Sequence, residues 1–344
     1  MDDNAGVDGA ADSRPAARCY TGLMPANLII TNGDSAVVVL KQSGIAGEML
    51  PWRDVLHDGP VPGDMGLSDL SVKRARFLVD RGWANPETAG NSFTERNATL
   101  EQFSRYGRIT LWFEHDLYDQ LQILQILDWF AGRQLGNTEL GMVCTDQYLG
   151  MIDPAQVSTL ALREAPVTRE QLQLAARAWK AFTAKTPQKW HGLLAQDTTA
   201  LAYLGNAVQR QLEEYPSTQT GLSRTQQTIL ELLHTEPKHG GRLFGDYQQT
   251  EEAMFMGDLS FWEILSEMLR SSCPLLALPA GRQAYDPRNP DDAFRLTDVG
   301  KDVLLGNTFW LDHHVIDRWI GGVHLRSDNL WFFERETSEL IEGS

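Results

Sequence analysis

Glu114, His115 and Asp116, followed by Asp119, carry the side chains that bind divalent cations or transfer protons. Carboxylates supply hard oxygen ligands, and an imidazole beside a carboxylate can act as a general acid or base. All four follow the apolar run Ile109–Phe113, which predicts that they leave one strand together. We therefore take Glu114, His115 and Asp116 as candidate catalytic residues and Asp119 as a candidate ligand-binding residue. The spacing matches no dedicated metal signature such as HExxH, and Asp116 could instead only cap the following helix.

A second polar segment, Asn32-Gly33-Asp34-Ser35, lies between the apolar run Leu28–Thr31 and a stretch of helical composition. Free N–H groups and the dipole at a helix start favour an anion, and Gly33 lets the backbone approach it closely. Asp34 and Ser35 are therefore candidate residues for holding a phosphate or carboxylate. The alternative is that one of them only caps the helix. The sequence has no GxGxxG and no Walker phosphate loop.

A third polar segment contains Arg53, Asp54 and His57 and ends in a Gly-Pro turn. An arginine at a strand end can clamp a phosphate or carboxylate with two parallel hydrogen bonds. Arg53 and Asp54 are therefore candidate ligand-binding residues, and His57 is a candidate catalytic residue. The alternative is a surface ion pair between Arg53 and Asp54 beside the turn.

The C-terminal tail holds three of the eight histidines, His313, His314 and His324. Asp317 follows His314 at helical spacing, so the two could share one face and coordinate a metal or relay a proton. We take His314, Arg318 and His324 as candidate ligand-binding residues. At least one tail histidine is expected to approach the Glu114 cluster, although histidines beside acids are also common on surfaces.

The apolar runs that precede these segments predict a parallel sheet. Leu28–Thr31, Ile109–Phe113 and Leu140–Cys144 read as strands, and helical patterns alternate with them. This order indicates an α/β fold with a parallel, Rossmann-like sheet, and a further strand is expected within Met49–Leu56. In such sheets ligands bind beyond the carboxyl ends of the strands, where three of the polar clusters lie.

The rest of the chain is predicted to be a helical connector, a winged-helix-like domain and a tail. The winged-helix prediction rests on the order of elements between Leu222 and Gly306, and on the phrase Phe294–Gly300, which resembles a wing strand followed by a helix. The predicted divisions are a disordered extension (1–23), an α/β ligand-binding domain (24–150), the connector (151–217), the winged-helix-like domain (218–308) and a tail that packs on the α/β domain (309–344).

Three phrases together resemble a bacterial family known as domain-of-unknown-function family 1835. They are Asn32-Gly33-Asp34-Ser35-Ala36, the stretch from Trp52 to Pro62, and the stretch from Trp112 to Leu121. The resemblance covers roughly Pro25 to Asp146, and the tail from Asp312 to Leu325 resembles the end of longer members. The resemblance supports the α/β fold, and no activity is established for the family.

Charge and composition limit the partners. Thirty Lys and Arg stand against 46 Asp and Glu, a net charge of -16, and the predicted recognition helix contains Glu263 and Glu267, so direct DNA binding is disfavoured. No apolar stretch is long enough to span a membrane and the N-terminus does not resemble a signal peptide, so a cytoplasmic location is expected. Three dispersed cysteines suggest neither a disulfide framework nor a zinc site.

These observations favour a protein that binds or acts on a small anionic molecule, nucleotide-like or phosphorylated, at the strand ends. Hydrolysis or group transfer is the first reaction class to test, and a divalent metal could serve as cofactor. The alternative is a regulator that senses a ligand through the α/β domain, or a module that contacts a protein partner through the winged helix. The residues do not decide whether the chain is an enzyme.

Overall fold

The computed structural model describes residues 26–286, 289 and 292–343. The predicted disordered extension, residues 1–23, lies outside them. The described chain has a mixed α/β fold with twelve α-helices and a five-stranded sheet. The elements of the α/β part are β1 (Ala26–Thr31), α1 (Asp34–Gln42), β2 (Glu48–Pro51), α2 (Leu67–Asp80), α3 (Pro86–Glu101), β3 (Tyr106–Glu114), α4 (Leu117–Ala131), β4 (Glu139–Thr145), α5 (Pro154–Ala161) and β5 (Ala165–Pro166).

The sheet has the strand order β2-β1-β3-β4-β5. β1 pairs in parallel with β2 and β3, β3 pairs in parallel with β4, and only β5 is antiparallel to its neighbour. The predicted parallel strands are therefore confirmed as β1, β3 and β4. Because the four parallel strands are neighbours, the segments that follow them emerge at one edge of the sheet.

Each face of the sheet is covered by helices. Ile29 of β1 packs with residues of α1 and α5 on one face, whereas Leu28 and Ile30 point to the other face, towards α4. Helix α4 is buried on nearly all sides, because the helices of the connector pack on its outer surface. This explains why apolar residues occur all round it rather than on one stripe. Helices α2 and α3 lie between β2 and β3 in the chain, where the sequence analysis predicts no elements.

The remaining helices and strands form the connector and the C-terminal part. They are α6 (Arg169–Phe182), α7 (Gln188–His191), α8 (Leu204–Leu212), α9 (Arg224–Thr235), β6 (Lys238–His239), α10 (Gly240–Gln248), α11 (Asp258–Arg270), β7 (Leu276–Ala277), β8 (Ala293–Leu296) and α12 (Asp298–Leu304). The three short strands form an antiparallel sheet in the order β6-β8-β7. Within the described residues, no helix is both long and apolar enough to cross a membrane.

The tail forms two antiparallel strand pairs, β9 (Arg318–Ile320) with β10 (Val323–Leu325), and β11 (Trp331–Glu334) with β12 (Glu339–Glu342). The tail sequence predicts one strand pair, about Gly322–Leu325 and Leu330–Phe333. Both segments do contain strands, but the predicted pairing between them is wrong, because each pairs with a different neighbour. The turn between β9 and β10 contacts the α/β part, since the Val61 N–H donates to the Gly321 carbonyl at 2.8 Å. The same turn contacts the connector through a hydrogen bond from the Gly322 N–H to the Phe182 carbonyl.

Candidate functional site

Three carboxylates meet at the carboxyl end of β3. Glu114, Asp116 and Asp119 are all buried, and ligand oxygens of the three lie within 4.8 Å of one another. Asp116 caps α4, because its side chain accepts a hydrogen bond from the Asp119 N–H at 3.2 Å. Asp119 lies one turn into the helix, and its carboxylate accepts from the Glu114 N–H. Asp116 therefore caps α4 and also belongs to the acidic cluster, so both of the alternatives considered for it hold.

Asn32 connects this cluster to β1. Its side-chain amide donates to Glu114 Oε1 at 2.9 Å and to Asp119 Oδ1 at 3.0 Å. The Leu149 N–H, from the loop after β4, also donates to Glu114 Oε1, at 2.8 Å. Neutral N–H donors that follow β1 and β4 thus hydrogen-bond to the acids at the end of β3. No described lysine or arginine forms an ion pair with the cluster.

Burial without a cationic partner raises the pKa of each acid. Burial, followed by repulsion from Glu114, raises the pKa of Asp116 to about 7. The pKa of Asp119 is raised well above its ordinary value and that of Glu114 is raised, in both cases chiefly by burial. Near neutral pH the cluster must therefore retain a proton or bind a cation. A divalent cation would suit these oxygen ligands, and Glu114, Asp116 and Asp119 are the residues that could hold it.

Arg53 pairs with Asp34 and not with Asp54. Its Nε and Nη2 donate to the two oxygens of Asp34 at 2.8 and 2.7 Å, and its Nη1 donates to Ser92 Oγ at 3.3 Å. Hydrogen bonding to the guanidinium lowers the pKa of Asp34. The predicted surface pair between Arg53 and Asp54 is therefore wrong, because Arg53 has a φ of 54° and its side chain lies on the segment after β1.

Asp54 has a structural role, which corrects its prediction as a ligand-binding residue. It is fully buried and forms an ion pair with Arg74 of α2 at 2.9 Å. Its backbone carbonyl accepts a hydrogen bond from Gln122 of α4 at 2.9 Å. A carboxylate this enclosed has to be paired, so Asp54 joins α2 to the loop after β2 and is not open to a ligand.

The start of α1 has no side-chain cap. Gly33 occupies the N-cap position, and the Asp34 side chain is hydrogen-bonded to Arg53. The alternative that Asp34 or Ser35 merely caps α1 is therefore wrong. Ser35 is exposed, and its Cβ lies so close to Gly150 that a side chain there would approach it to 2.8 Å.

His115 and the tail residues lie in other surroundings. The ring of His115 packs against Tyr148 and Tyr203, with centroids 5.4 and 5.8 Å away, and burial lowers its pKa. It lines a cavity of about 260 Å³ between α8 and the segment after α10. His115 thus turns away from the three carboxylates that surround it in the sequence.

The tail side chains are engaged in ion pairs and ring stacking away from the acidic cluster. His314 stacks on Trp310 and lies 3.1 Å from Glu267, whereas His324 pairs with Asp317. Ser272 binds the backbone carbonyl of His313. The expectation that a tail histidine forms a wall of the Glu114 site is therefore wrong, because the rings of His314 and His324 have local partners and His313 is fixed by its backbone beside Ser272.

Arg318 is half-buried against the connector. It donates to Glu214 Oε2 at 2.8 Å, and Glu214 also pairs with Arg210 of α8. The attraction of these two arginines outweighs burial and lowers the pKa of Glu214 to about 2. Arg318 thus joins the tail to the connector, a structural contact at a residue for which the sequence predicts ligand binding.

A cleft with a volume of about 730 Å³ opens beside the strand ends. It is bounded by Trp52–His57, by one face of α3 and by residues 254–260 at the start of α11, and we call it the strand-end cleft. Its size is that of a small-molecule site, and its lining is largely apolar with a few polar groups. Arg53, His57 and Tyr118 line it, whereas the acids of the Glu114 cluster do not.

His57 is a polar side chain of this cleft that lacks hydrogen bonds. It is 6% exposed, and neither ring nitrogen has a hydrogen-bond partner. Its ring meets Phe255 edge-on at 5.0 Å and Tyr118 at 5.9 Å. Burial is the main cause that lowers its pKa to about 4, so the imidazole is neutral at pH 7. Unsatisfied buried groups are rare in proteins and call for an explanation such as a ligand.

The other walls of the cleft belong to a segment that carries no predicted site residue. Trp83, Asn85, Thr88 and Ser92 line it from α3 and the turn before it. The Asn85-Pro86 pair is a recognisable helix start, since Asn85 accepts from the Glu87 N–H and proline suits the first turn. Once that helix is placed, Thr88 and Ser92 lie on one face by their spacing.

No model of a known protein family matches the chain, and no curated protein matches it significantly. The resemblance to family 1835 accordingly stays an expectation from sequence motifs.

Proposed function

We propose that this protein binds a small anionic molecule, nucleotide-like or phosphorylated, in the strand-end cleft, and that hydrolysis or group transfer is the reaction class to test first. The observation that carries the proposal is that one cleft is lined by a partly free guanidinium and by a buried imidazole without hydrogen bonds. The first group attracts an anion, and the second can exchange a proton.

Arg53 is prepared to hold the anion. An arginine has five N–H groups, and three of those of Arg53 are used by Asp34 and Ser92. The side chain is 47% exposed, so its remaining groups can reach a ligand. Asp34 fixes the orientation of the guanidinium. The left-handed backbone of Arg53 is the kind of strain that is retained where position matters more than stability.

His57 is the candidate proton-transfer group. A neutral imidazole accepts through one ring nitrogen and donates through the other, so it can take a proton from a water molecule or a ligand hydroxyl once a bound anion raises its lowered pKa. Tyr118 contacts the His57 ring, and its hydroxyl donates to the Asn32 carbonyl at 3.4 Å. The cleft is thereby linked to the residue that binds the acidic cluster. Glu114 and Asp116 would support chemistry only through this link.

A winged-helix assignment of residues 218–308 is supported by the order α9-β6-α10-α11-β7-β8-α12 and by the three-stranded antiparallel sheet. In that assignment α11 is the recognition helix. Its Glu263 pairs with Arg81 of the α/β part at 2.5 Å, and its first residues line the strand-end cleft. A helix in this position suits a role in ligand sensing or protein contact better than insertion into a DNA groove.

The proposal is tested by isothermal titration calorimetry with inorganic phosphate, ribose 5-phosphate and the four ribonucleoside monophosphates. At least one of these anions should bind wild-type protein, and Arg53→Ala should weaken that binding by tenfold or more. Arg105→Ala is the matched control, because Arg105 is similarly exposed and pairs with Glu48 outside the cleft. Absence of binding by all of these anions, or equal losses in the two variants, would refute the proposal.

A further inference from the structure

We propose that the strand-end cleft is a nucleotide site with two ends, in which Arg53 holds the phosphate and Trp83 stacks against the base. This inference rests on the proposed function and narrows its ligand to one chemical class. It is carried by the arrangement of side chains along α3, which forms one wall of the cleft.

The two ends are separated along the axis of α3. Asn85 caps the helix and Ser92 lies seven residues further, which corresponds to about 10 Å at 1.5 Å per residue. Arg53 is hydrogen-bonded to Ser92, so the cation lies at the second position. Trp83 precedes Asn85 by two residues and lines the same cleft, so the indole lies at the first position.

The Trp83 end suits a flat ring with polar edges. The indole is half-buried, and Phe77 meets it edge-on at 5.7 Å, which leaves it fixed but accessible from the cleft. Beside it, the side-chain oxygen of Asn85 accepts from the Glu87 N–H, so its side-chain nitrogen remains a donor. Thr88 adds a hydroxyl one turn along. A saturated acyl chain would leave these polar groups unmatched, whereas a nucleobase can bind them while it stacks.

The Arg53 end suits the phosphate. Arg53 brings a guanidinium, Ser92 brings a hydroxyl, and Tyr118 and His57 line the same region. His57 is more than nine-tenths buried and has no hydrogen-bond partner, which is an observation independent of the α3 face. A neutral imidazole can donate one hydrogen bond to a phosphate oxygen or accept one from a ribose hydroxyl. The cleft therefore offers complementary groups to each part of a nucleotide.

The experiment compares three titrations by calorimetry: a ribonucleoside monophosphate, its nucleoside without phosphate, and ribose 5-phosphate without base. AMP, GMP, CMP and UMP are each used, because the structure does not select one base. We expect the preferred nucleotide to bind at least tenfold more tightly than ribose 5-phosphate, since stacking on an aromatic side chain contributes that much or more. Trp83→Leu should abolish this preference and leave ribose 5-phosphate affinity unchanged.

Two further variants separate stacking from folding. Trp83→Phe retains a ring and should keep most of the preference, and Trp319→Leu removes a half-buried tryptophan that lies outside the cleft and should keep all of it. If Trp83→Leu unfolds, the comparison of nucleotide with ribose 5-phosphate on wild-type protein still decides whether the cleft binds a base.

The two proposals fail in different ways. Equal affinities for all nucleotides and ribose 5-phosphate, lost in Arg53→Ala, would overturn the nucleotide inference and leave the anion site standing. A preference for nucleotide that survives Trp83→Leu would likewise overturn the stacking role. If neither phosphate, ribose 5-phosphate nor any nucleotide binds, both the proposed function and this inference are refuted.

Discussion

The side-chain nitrogen of Asn32 lies 2.9 Å from Glu114 Oε1, so the residue that follows β1 is hydrogen-bonded directly to the end of β3. The same amide reaches Asp119, and with Asp116 the three acids form a buried cluster to which no described basic side chain is paired. The acids that meet at the end of β3 therefore repel one another when ionised, and the Asn32 amide binds them without neutralising them. This arrangement has a measurable consequence for stability.

Asp116→Asn should stabilise the protein above pH 7. The folded-state pKa of Asp116 is about 7 against an ordinary value of 3.8. The folded state therefore binds more protons than the unfolded state between these values, and Asp116 lowers stability progressively as pH rises through that window. Asparagine is also a good N-cap, so α4 keeps its cap. We expect the difference in free energy of unfolding between variant and wild type to grow by about 1–3 kcal/mol from pH 5 to pH 8, measured by urea denaturation.

Asp146→Asn provides the comparison for this effect. Asp146 is exposed and follows the neighbouring strand, so the variant removes one negative charge without removing a buried acid. Its free energy of unfolding should track that of wild type across the same pH range within about 0.5 kcal/mol. Parallel pH profiles for wild type and Asp116→Asn would contradict the raised pKa.

Replacement of Arg53 by glycine should give a more stable protein than replacement by alanine. Both variants lose the pairing with Asp34, but only alanine retains a Cβ at a φ of 54°. A left-handed conformation costs a non-glycine residue about 1 kcal/mol, so the two unfolding free energies should differ by about that amount. Both variants should bind the anion equally poorly in calorimetry. Equal stabilities would show that the backbone at Arg53 is unstrained.

Gly59→Ala should destabilise the protein more than Gly82→Ala. Both glycines have positive φ, 76° and 70°, so each substitution introduces similar backbone strain. A Cβ at Gly59 would also lie 2.5 Å from the Phe77 ring, whereas nothing lies within 4 Å of one at Gly82. We expect a further loss of about 1–3 kcal/mol in the free energy of unfolding for Gly59→Ala, because the ring has to move. Since Phe77 supports Trp83, nucleotide affinity should fall in this variant and persist in Gly82→Ala.

The sheet can be predicted from the sequence because each strand is marked by its own residues and those next to it in the chain. Runs such as Ile109–Phe113 and Leu140–Cys144 are long, apolar and bounded by polar residues, and parallel pairing follows from the helices between them. The polar clusters at the strand ends follow from the same reasoning. Helices α2 and α3 are not predicted, because their apolar residues are interrupted by buried Arg74 and Arg96, whose partners are distant in the chain.

The partners of the site residues are not predictable from local spacing. Arg53 is adjacent to Asp54 yet pairs with Asp34, nineteen positions away, because its left-handed backbone directs the side chain towards the segment after β1. His314 has the spacing of a shared helical face with Asp317 but stacks on Trp310 and contacts Glu267 of α11. These contacts depend on how the tail packs against the C-terminal helices.

His57 should remain neutral down to about pH 4, and its protonation should destabilise the protein. Burial lowers its pKa to about 4, and although Asp58 and Glu214 oppose the shift, Arg74 and Arg318 reinforce it. The unfolded chain therefore binds more protons than the folded protein between about pH 6.5 and pH 4, so stability falls as pH decreases through this window. His57→Gln, which does not titrate, should lack that part of the decline, about 2–4 kcal/mol. Urea denaturation at pH 7 and pH 4.5 measures the difference, and an NMR resonance assigned to the His57 imidazole that titrates near pH 6.5 in wild-type protein would contradict it. A nucleotide phosphate next to the ring would favour its protonated form, so saturating ligand should raise the pKa of His57.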